Sequence, residues 1–303
     1  MSTLFEAVEL APRDPILGLN EQYNADERPG KVNLGVGVYY DDQGRVPLLK
    51  CVHQAEVDRV KAAAAHGYLP IEGLKTLNTA ARELVLGKGA QAIESERAFT
   101  IQAVGGTGAL KIGADYLKQL LPQAKVAISS PSWENHRALF ERAGFEVVEY
   151  AYYDPQTHGL NHQGMLDSIA ALPCGSVVVL HACCHNPTGV DPTPAQWDQI
   201  IETMKAGKHV PFLDMAYQGF GDGLAEDAST VRKFVDAGLT CLISTSFSKS
   251  FSLYGERIGA LTVVTDSADQ AKRVLSQIKR VIRTNYSNPP TFGGAVVAEV
   301  LNN

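Results

Sequence analysis

Residues 241–264 read CLISTSFSKSFSLYGERIGALTVV, and they indicate how the chain folds. Two apolar runs, CLIS and IGALTVV, flank a loop with four serines, Lys249 and Arg257. Short continuous apolar runs are typical of strands that are buried on both faces of a sheet. In open α/β sheets, ligands bind beyond the carboxyl ends of such strands. The polar loop is therefore a candidate ligand-binding segment.

The same pattern extends along most of the chain. Apolar runs rich in Val and Ile predict strands at residues 99–104, 125–129, 146–150, 176–181, 209–214, 241–246 and 258–264. Between and after them, amphipathic segments predict helices near residues 108–120, 133–143, 163–171, 194–206, 228–237 and 267–283. This alternation predicts an α/β fold whose mostly parallel sheet is covered by helices on both faces.

Composition excludes several classes of protein. The chain of 303 residues is 45% hydrophobic and 20% charged, as in ordinary globular proteins, and its length suggests about two domains. A net charge of −6 argues against a nucleic-acid partner. The sequence shows neither a secretory signal nor an apolar run long enough to span a membrane. Five cysteines, an odd number, are expected to be reduced thiols, which favours a cytoplasmic location.

Polar side chains follow five of the predicted strands. They are found in the segments Gly105–Gly108, Pro131–His136, Cys184–Gly189, Asp214–Tyr217 and Ser246–Lys249. Each segment has an ordinary structural interpretation as a turn, a cap or part of the core. Their common place at the ends of parallel strands nevertheless predicts one shared site.

Phosphate is the ligand that two of these segments favour. A glycine-rich turn before a helix exposes backbone N–H groups at a positive helix terminus, although GGTGAL matches no specific nucleotide motif. Ser246, Ser248 and Arg257 add hydroxyl and guanidinium donors. Lys249 can form a Schiff base with an aldehyde, and Asp214 can keep a pyridine nitrogen protonated. A cofactor with a phosphate, an aldehyde and a pyridine ring would use all of these groups.

The segment His181–His185 contains two histidines and two cysteines, which raises the possibility of a metal site. Neighbouring strand residues point to opposite faces, and no C-x-x-C pair is present. We therefore predict that this segment holds no metal.

Six motifs together resemble the class I aminotransferases, in the branch of the aspartate and aromatic amino-acid aminotransferases. They are SFSKSFSLYGERIGAL, CCHNPTG, DMAYQGFG, GGTGAL, SWENH and NLGVGVYY. The similarity runs from DPILGL near the start to NYSNPP near the end. It implies a fold-type I enzyme dependent on pyridoxal 5'-phosphate. It also implies a large cofactor-binding domain at residues 46–303, with residues 1–45 forming an arm and part of a smaller domain.

The resemblance also implies roles for individual residues. Lys249 would hold the cofactor as an internal aldimine and move the substrate proton, while Asp214, supported by His136, would pair with the ring nitrogen. By the family pattern, Asn186, Tyr217 and Trp133 would contact the cofactor ring. The phosphate would be bound by Gly106, Thr107, Ser246 and Arg257, with Ser248 beside it. Tyr68 would reach the same phosphate from a partner subunit. Gly37 would lie near the substrate carboxylate, and Arg283 from the partner would bind the distal carboxylate of a dicarboxylic substrate. Trp133 and Asn186 would also contact the substrate.

By this resemblance, the reaction would transfer an amino group between an aromatic or acidic amino acid and 2-oxoglutarate in a homodimer with shared sites. Tyr40 and Val46 resemble the aromatic branch, whereas Asn288 resembles the aspartate branch. No residue matches the family's arginine for the substrate α-carboxylate, so a C-terminally truncated form is expected. A lyase on the same fold and an inactive cofactor-binding fragment remain alternatives.

Overall fold

A computed structural model describes residues 3–12, 17–33, 35, 37–65 and 67–303. The first three residues of the DPILGL motif, and Leu34 and Val36 of NLGVGVYY, lie outside the described residues. The chain divides into two compact units, Met1–Pro47 and Leu48–Asn303. Among the described residues, no helix has both the length and the apolar character needed to cross a membrane.

The described part of the first unit contains one helix, α1 (Leu17–Ala25), followed by irregular chain. The Lys31 ammonium donates to the backbone carbonyls of Tyr23 and Asp26, and so ties the end of the helix to the segment that follows. The side chain of Asn33 donates to that of Asn20 over 2.6 Å. Local polar contacts therefore organise this unit.

The second unit is built on a seven-stranded sheet in the order β1-β9-β8-β7-β6-β2-β3. The strands are β1 (Ala98–Val104), β2 (Lys125–Ser130), β3 (Glu146–Ala151), β6 (Val177–His181), β7 (Val210–Met215), β8 (Cys241–Ser246) and β9 (Ile258–Val264), and a separate hairpin is formed by β4 (Tyr153–Asp154) and β5 (Gly159–Leu160). The pairs among β3, β2, β6, β7 and β8 are parallel, whereas β9 is antiparallel to both of its neighbours. The predicted mostly parallel α/β sheet is confirmed.

Eleven helices of the described residues belong to this unit. They are α2 (Lys50–Ala62), α3 (Lys75–Leu86), α4 (Gln91–Glu94), α5 (Gly105–Leu120), α6 (Glu134–Arg142), α7 (His162–Ala170), α8 (Pro194–Ala206), α9 (Leu224–Asp227), α10 (Ser229–Asp236), α11 (Ala268–Asn285) and α12 (Phe292–Asn302). The six predicted helices correspond to α5, α6, α7, α8, α10 and α11. Helices α1, α2, α3, α4, α9 and α12 have no counterpart among the six predicted helices. The cap residues before α2 and α3 are leucines that provide no side-chain cap, so the usual start signal is missing.

Side chains on alternate positions of the strands enter different cores. Val178 and Leu180 of β6 pack with α7, α8 and α10, whereas Val177 and Val179 pack with α5, α6 and α11. Both faces of the sheet are therefore buried, which explains why the strands appear in the sequence as continuous apolar runs. A third core joins α2, α3 and α12 to Phe247 and Phe251, on either side of Lys249. The packing of Phe247 and Phe251 in this core fixes the position of the loop that carries Lys249.

Candidate active site

Asp214 lies near the end of β7 and is 5% exposed. Its Oδ2 accepts a hydrogen bond from Nε2 of His136 over 2.9 Å, and Nδ1 of His136 lies 2.9 Å from Oγ of Ser132. Burial alone would raise the pKa of Asp214, but the hydrogen bond from His136 and nearby positive charge, including that of Lys249, lower it below its usual value. The structure thus keeps an ionised carboxylate in a buried position.

Lys249 lies in the loop after β8 and is half-buried. Its Nζ atom lies 4.8 Å from the centre of the Tyr217 ring. Burial lowers the pKa of this amine, the charge of Asp214 opposes that effect, and the charge of Arg257 reinforces it, so that the pKa falls below its usual value. The amine therefore lies close enough to Asp214 and to Arg257 for both charges to act on it.

Tyr217 and Asn186 come from different loops, and the Asn186 side chain acts on the Tyr217 phenol, where it slightly opposes the rise in the pKa of that group. Burial raises the pKa of Tyr217, helped by the charge of Asp214, so the phenol stays protonated at neutral pH. Trp133 comes directly before α6, and its ring lies edge-on to His136 at a centroid distance of 5.2 Å. These side chains form the wall of the site around Asp214 and Lys249.

The second group of predicted residues surrounds the start of α5. The N–H of Gly105 donates to the carbonyl of Arg257 over 2.9 Å, and the Arg257 guanidinium donates to Oγ of Ser248 over 3.2 Å and to the carbonyl of Tyr254 over 3.0 Å. Oγ of Ser246 accepts from the N–H of Ser248 over 3.3 Å. A helix terminus, hydroxyls and a guanidinium thus meet at one place, as an anion requires.

Glycine is required where these segments meet. Gly105 has φ +69°, and a Cβ atom there would lie 2.6 Å from Nη2 of Arg257. A Cβ on Gly106 would lie 3.1 Å from Cβ of Ser246. Thr107, the third residue of α5, is half-buried beside them. The missing side chains leave the space that a phosphate group would need.

Three predicted residues are not brought to this group by the described contacts. Tyr68 is 96% exposed. Arg283 lies exposed near the end of α11 and donates to the hydroxyl of Ser287 on the same stretch of chain. Gly37 is exposed in the first compact unit.

The structure adds buried histidines that the sequence analysis considered only as metal ligands. The His181 ring lies 5.0 Å from that of His136 and 4.4 Å from that of His185. Neither ring nitrogen of His181 has a hydrogen-bond partner among the described residues. Burial and the neighbouring histidines hold the pKa of His181 well below its usual value, and burial lowers that of His185 to about 3. These two rings are therefore neutral at neutral pH. The sequence feature that could have identified these histidines as buried is their position at or just after the end of an apolar strand.

From the sequence we predict that the segment His181–His185 holds no metal, and the structure shows which other groups its possible ligand atoms lie near. Ligand atoms of His181, His136 and Asp214 lie within 4.8 Å of one another, and those of Cys183 and Cys184 lie within the same distance of Asp227. His181 and the two cysteines therefore belong to separate groups, and His185 belongs to neither. In the first group, His136 and Asp214 are already paired with each other.

Comparison with known proteins agrees with this geometry. Residues 29–303 match the family model for aminotransferase class I and II. The chain is 62% identical to the aspartate aminotransferase of Pseudomonas aeruginosa, covering 99% of this chain and 75% of that protein. It is 50% identical to the tyrosine aminotransferase of Klebsiella pneumoniae, covering 99% of this chain and 76% of that protein.

Among solved structures, the aromatic-amino-acid aminotransferase from Burkholderia pseudomallei, covalently bound to pyridoxal phosphate, superposes with a TM-score of 0.98. It shares 62% sequence identity, and the match covers 100% of this chain and 76% of that one. The chain therefore belongs to the class I and II aminotransferase family.

Proposed function

We propose that this protein is an aminotransferase that uses pyridoxal phosphate and exchanges amino groups between amino acids and keto acids. The observation that carries the proposal is the position of the Lys249 amine, which is half-buried, lies 4.8 Å from the centre of the Tyr217 ring and feels the charges of both Asp214 and Arg257. Relatives named as aspartate, tyrosine and aromatic-amino-acid aminotransferases support it. When bound, pyridoxal phosphate supplies an aldehyde that condenses with amines and a protonated ring that accepts electron density.

The described side chains fit this cofactor. Ser246, Ser248, Arg257 and the start of α5 would bind its phosphate, because they provide several convergent donors and no competing carboxylate is bonded to them. Asp214 would hold a proton at the ring nitrogen, since it is buried and ionised. Tyr217 and Asn186 would donate to the ring oxygen, and Trp133 would cover the ring face.

Lys249 would have two tasks. Its amine would attach the cofactor, and after release it would move a proton at the α-carbon of the substrate. The second task requires an uncharged amine, and the lowered pKa of Lys249 increases the uncharged fraction at neutral pH. The ionised Asp214 and the uncharged Lys249 amine would thus have different roles: Asp214 would stabilise the protonated ring nitrogen, and Lys249 would accept the proton of the substrate α-carbon.

We further propose aromatic and acidic amino acids as substrates, with 2-oxoglutarate as the amino acceptor. The names of the relatives cover both substrate classes and support no ranking between them. Arg283 would bind a distal carboxylate and Gly37 would lie near the other one. A homodimer is proposed because Tyr68 and Arg283 are exposed and would serve a partner's site. We also propose a cytoplasmic location, and residues 1–45 as an arm with part of a smaller domain.

The test is a visible absorption spectrum of the purified protein with pyridoxal phosphate, titrated with glutamate, aspartate and tyrosine in turn. We expect a visible band that an amino acid bleaches and a keto acid restores. Lys249→Ala should lose this response, whereas Lys272→Ala, on the exposed surface of α11, should keep it. A band that no amino acid changes would overturn the transferase proposal, and ammonia release without a keto acid would indicate a lyase.

A further inference from the structure

Cys183, Cys184 and Asp227 meet beside the candidate active site, although Asp227 belongs to α9, a separate element. One ligand atom of each lies within 4.8 Å of the other two. Tetrahedral Zn²⁺, with bonds of about 2.3 Å to sulfur and 2.1 Å to oxygen, would hold its ligand atoms about 3.6–3.8 Å apart. Shifts of roughly 1 Å, which side-chain rotation can supply, would therefore complete the coordination distances.

We propose that Cys183, Cys184 and Asp227 bind a thiophilic divalent cation such as Zn²⁺ or Cd²⁺, with water as the fourth ligand. Two sulfurs and one carboxylate suit ions of this type, because thiolates select soft and borderline metals over Mg²⁺ and Ca²⁺. The cation would displace the thiol protons, which would pass to the solvent. Cys184 is half-buried, whereas Cys183 and Asp227 are buried, so the open coordination position would lie on the side of Cys184.

Asp227 is oriented for this role by the backbone. Its Oδ2 accepts from the N–H groups of Gly219 and Gly221 over 2.7 and 3.1 Å, and its Oδ1 accepts from that of Asp222 over 2.9 Å. A carboxylate has about four acceptor positions, so one remains for a cation. Hydrogen bonds of this kind fix the orientation of a metal ligand and raise the affinity of the site.

The surrounding charge also favours a cation. Asp191 accepts from the backbone N–H groups of Cys184 and His185 over 2.6 and 2.9 Å, which places its carboxylate against the cysteine loop. Asp222 adds a second carboxylate whose field reaches Cys184. A cation bound among these groups would gain Coulomb energy that offsets part of its desolvation.

The test is a titration with Cd²⁺ alone, followed by the ultraviolet charge-transfer band between thiolate and cadmium and by native mass spectrometry. Cys51 and Cys174 are exposed, so both are first replaced by serine. In this background we expect one Cd²⁺ per chain. Adding Cys183→Ser and Cys184→Ser should weaken binding at least tenfold and remove the band, whereas adding Cys241→Ser, at a buried thiol of β8, should change neither.

Asp227→Asn tests the third ligand but also alters the turn that Asp227 holds, so circular dichroism must show that this variant is folded. If the Asp227→Asn variant is not folded, the Cd²⁺ titration of the single variant Cys184→Ser tests the site instead, because this variant keeps the hydrogen bonds of Asp227. An unchanged band in the Cys183→Ser, Cys184→Ser protein would overturn the proposal. So would the absence of bound Cd²⁺ in the background protein.

Discussion

The Nε2 atom of His136 lies 2.9 Å from Oδ2 of Asp214, and both side chains are buried. The histidine comes from the start of α6 and the aspartate from the end of β7, so the pair joins two elements that are 78 residues apart. Because a carboxylate only accepts, the histidine donates to it through Nε2, and its Nδ1 lies 2.9 Å from Oγ of Ser132. This chain of bonds stabilises the charged form of Asp214.

His136→Phe should therefore raise the pKa of Asp214, because it removes the donor while keeping a ring of similar size. An aspartate with a raised pKa takes up its proton at higher pH, so the acid limb of the kcat/KM profile should move to higher pH. We also expect kcat/KM at neutral pH to fall about tenfold, as for the loss of one hydrogen bond to a charged group. Ser132→Ala, which leaves the His136–Asp214 bond in place, should shift the profile less; an equal shift would contradict this account.

Arg257→Gln should weaken the binding of pyridoxal phosphate by at least about tenfold, since a hydrogen bond to a charged group contributes roughly 1.5–3 kcal/mol. Binding of pyridoxal, which has no phosphate, should be unaffected. Equilibrium dialysis with the two compounds gives the comparison. Arg137→Gln, which removes an exposed partner of Glu149, serves as the matched control. Equal weakening for both compounds would mean that Arg257 does not bind the phosphate.

Gly105→Ala should reduce both stability and cofactor affinity. The residue has φ +69°, which costs an alanine roughly 1–2 kcal/mol, and its Cβ would meet the Arg257 guanidinium. Gly175→Ala is the control, because Gly175 has φ +79° but no atom within 4 Å of its added Cβ. Urea unfolding of both variants separates the cost of the positive φ angle, which they share, from the cost of the contact with Arg257, which only Gly105→Ala makes. We expect only Gly105→Ala to impair binding of pyridoxal phosphate.

His185 should make the protein sensitive to acid. Its pKa is about 3 in the folded state, against an ordinary value of 6.5, so the unfolded chain binds the extra proton first as pH falls. The free energy of unfolding should therefore decrease from about pH 6.5 down to about pH 3, at up to about 1.4 kcal/mol per pH unit for this one group.

The measurement is urea unfolding over this pH range for the unsubstituted protein and for the His185→Gln variant. This variant should show a smaller slope, even if it is less stable at neutral pH. His158→Gln, at an exposed position, should keep the original slope. Identical slopes in all three proteins would exclude His185 as a source of acid sensitivity.

Much of the fold could be predicted because its strands are buried on both faces. Continuous apolar runs located seven strands, and the polar residues after them located Asp214, Lys249 and Arg257 at one edge of the sheet. The direction of β9 could not be read in the same way, because a parallel and an antiparallel buried strand have the same composition. Helices α2 and α3 also escaped prediction. At the start of α3, the N–H of Leu74 donates to the side chain of Gln102 over 3.1 Å, a tertiary contact that no local sequence signal announces.

The sequence by itself determined the residue types of the site and the family to which the chain belongs, because long motifs retain their order and spacing. Only the tertiary structure decided which of these residues act on one another. Cys183 and Cys184 acquired a carboxylate neighbour in Asp227. His181 became a buried ring that lies near two other histidines and has no hydrogen-bond partner within the described part of the chain. The shifts in the pKa values of Asp214 and Lys249 have the same origin. Burial and charge at a few ångströms depend on which strands are neighbours, and that order is not the order of the chain.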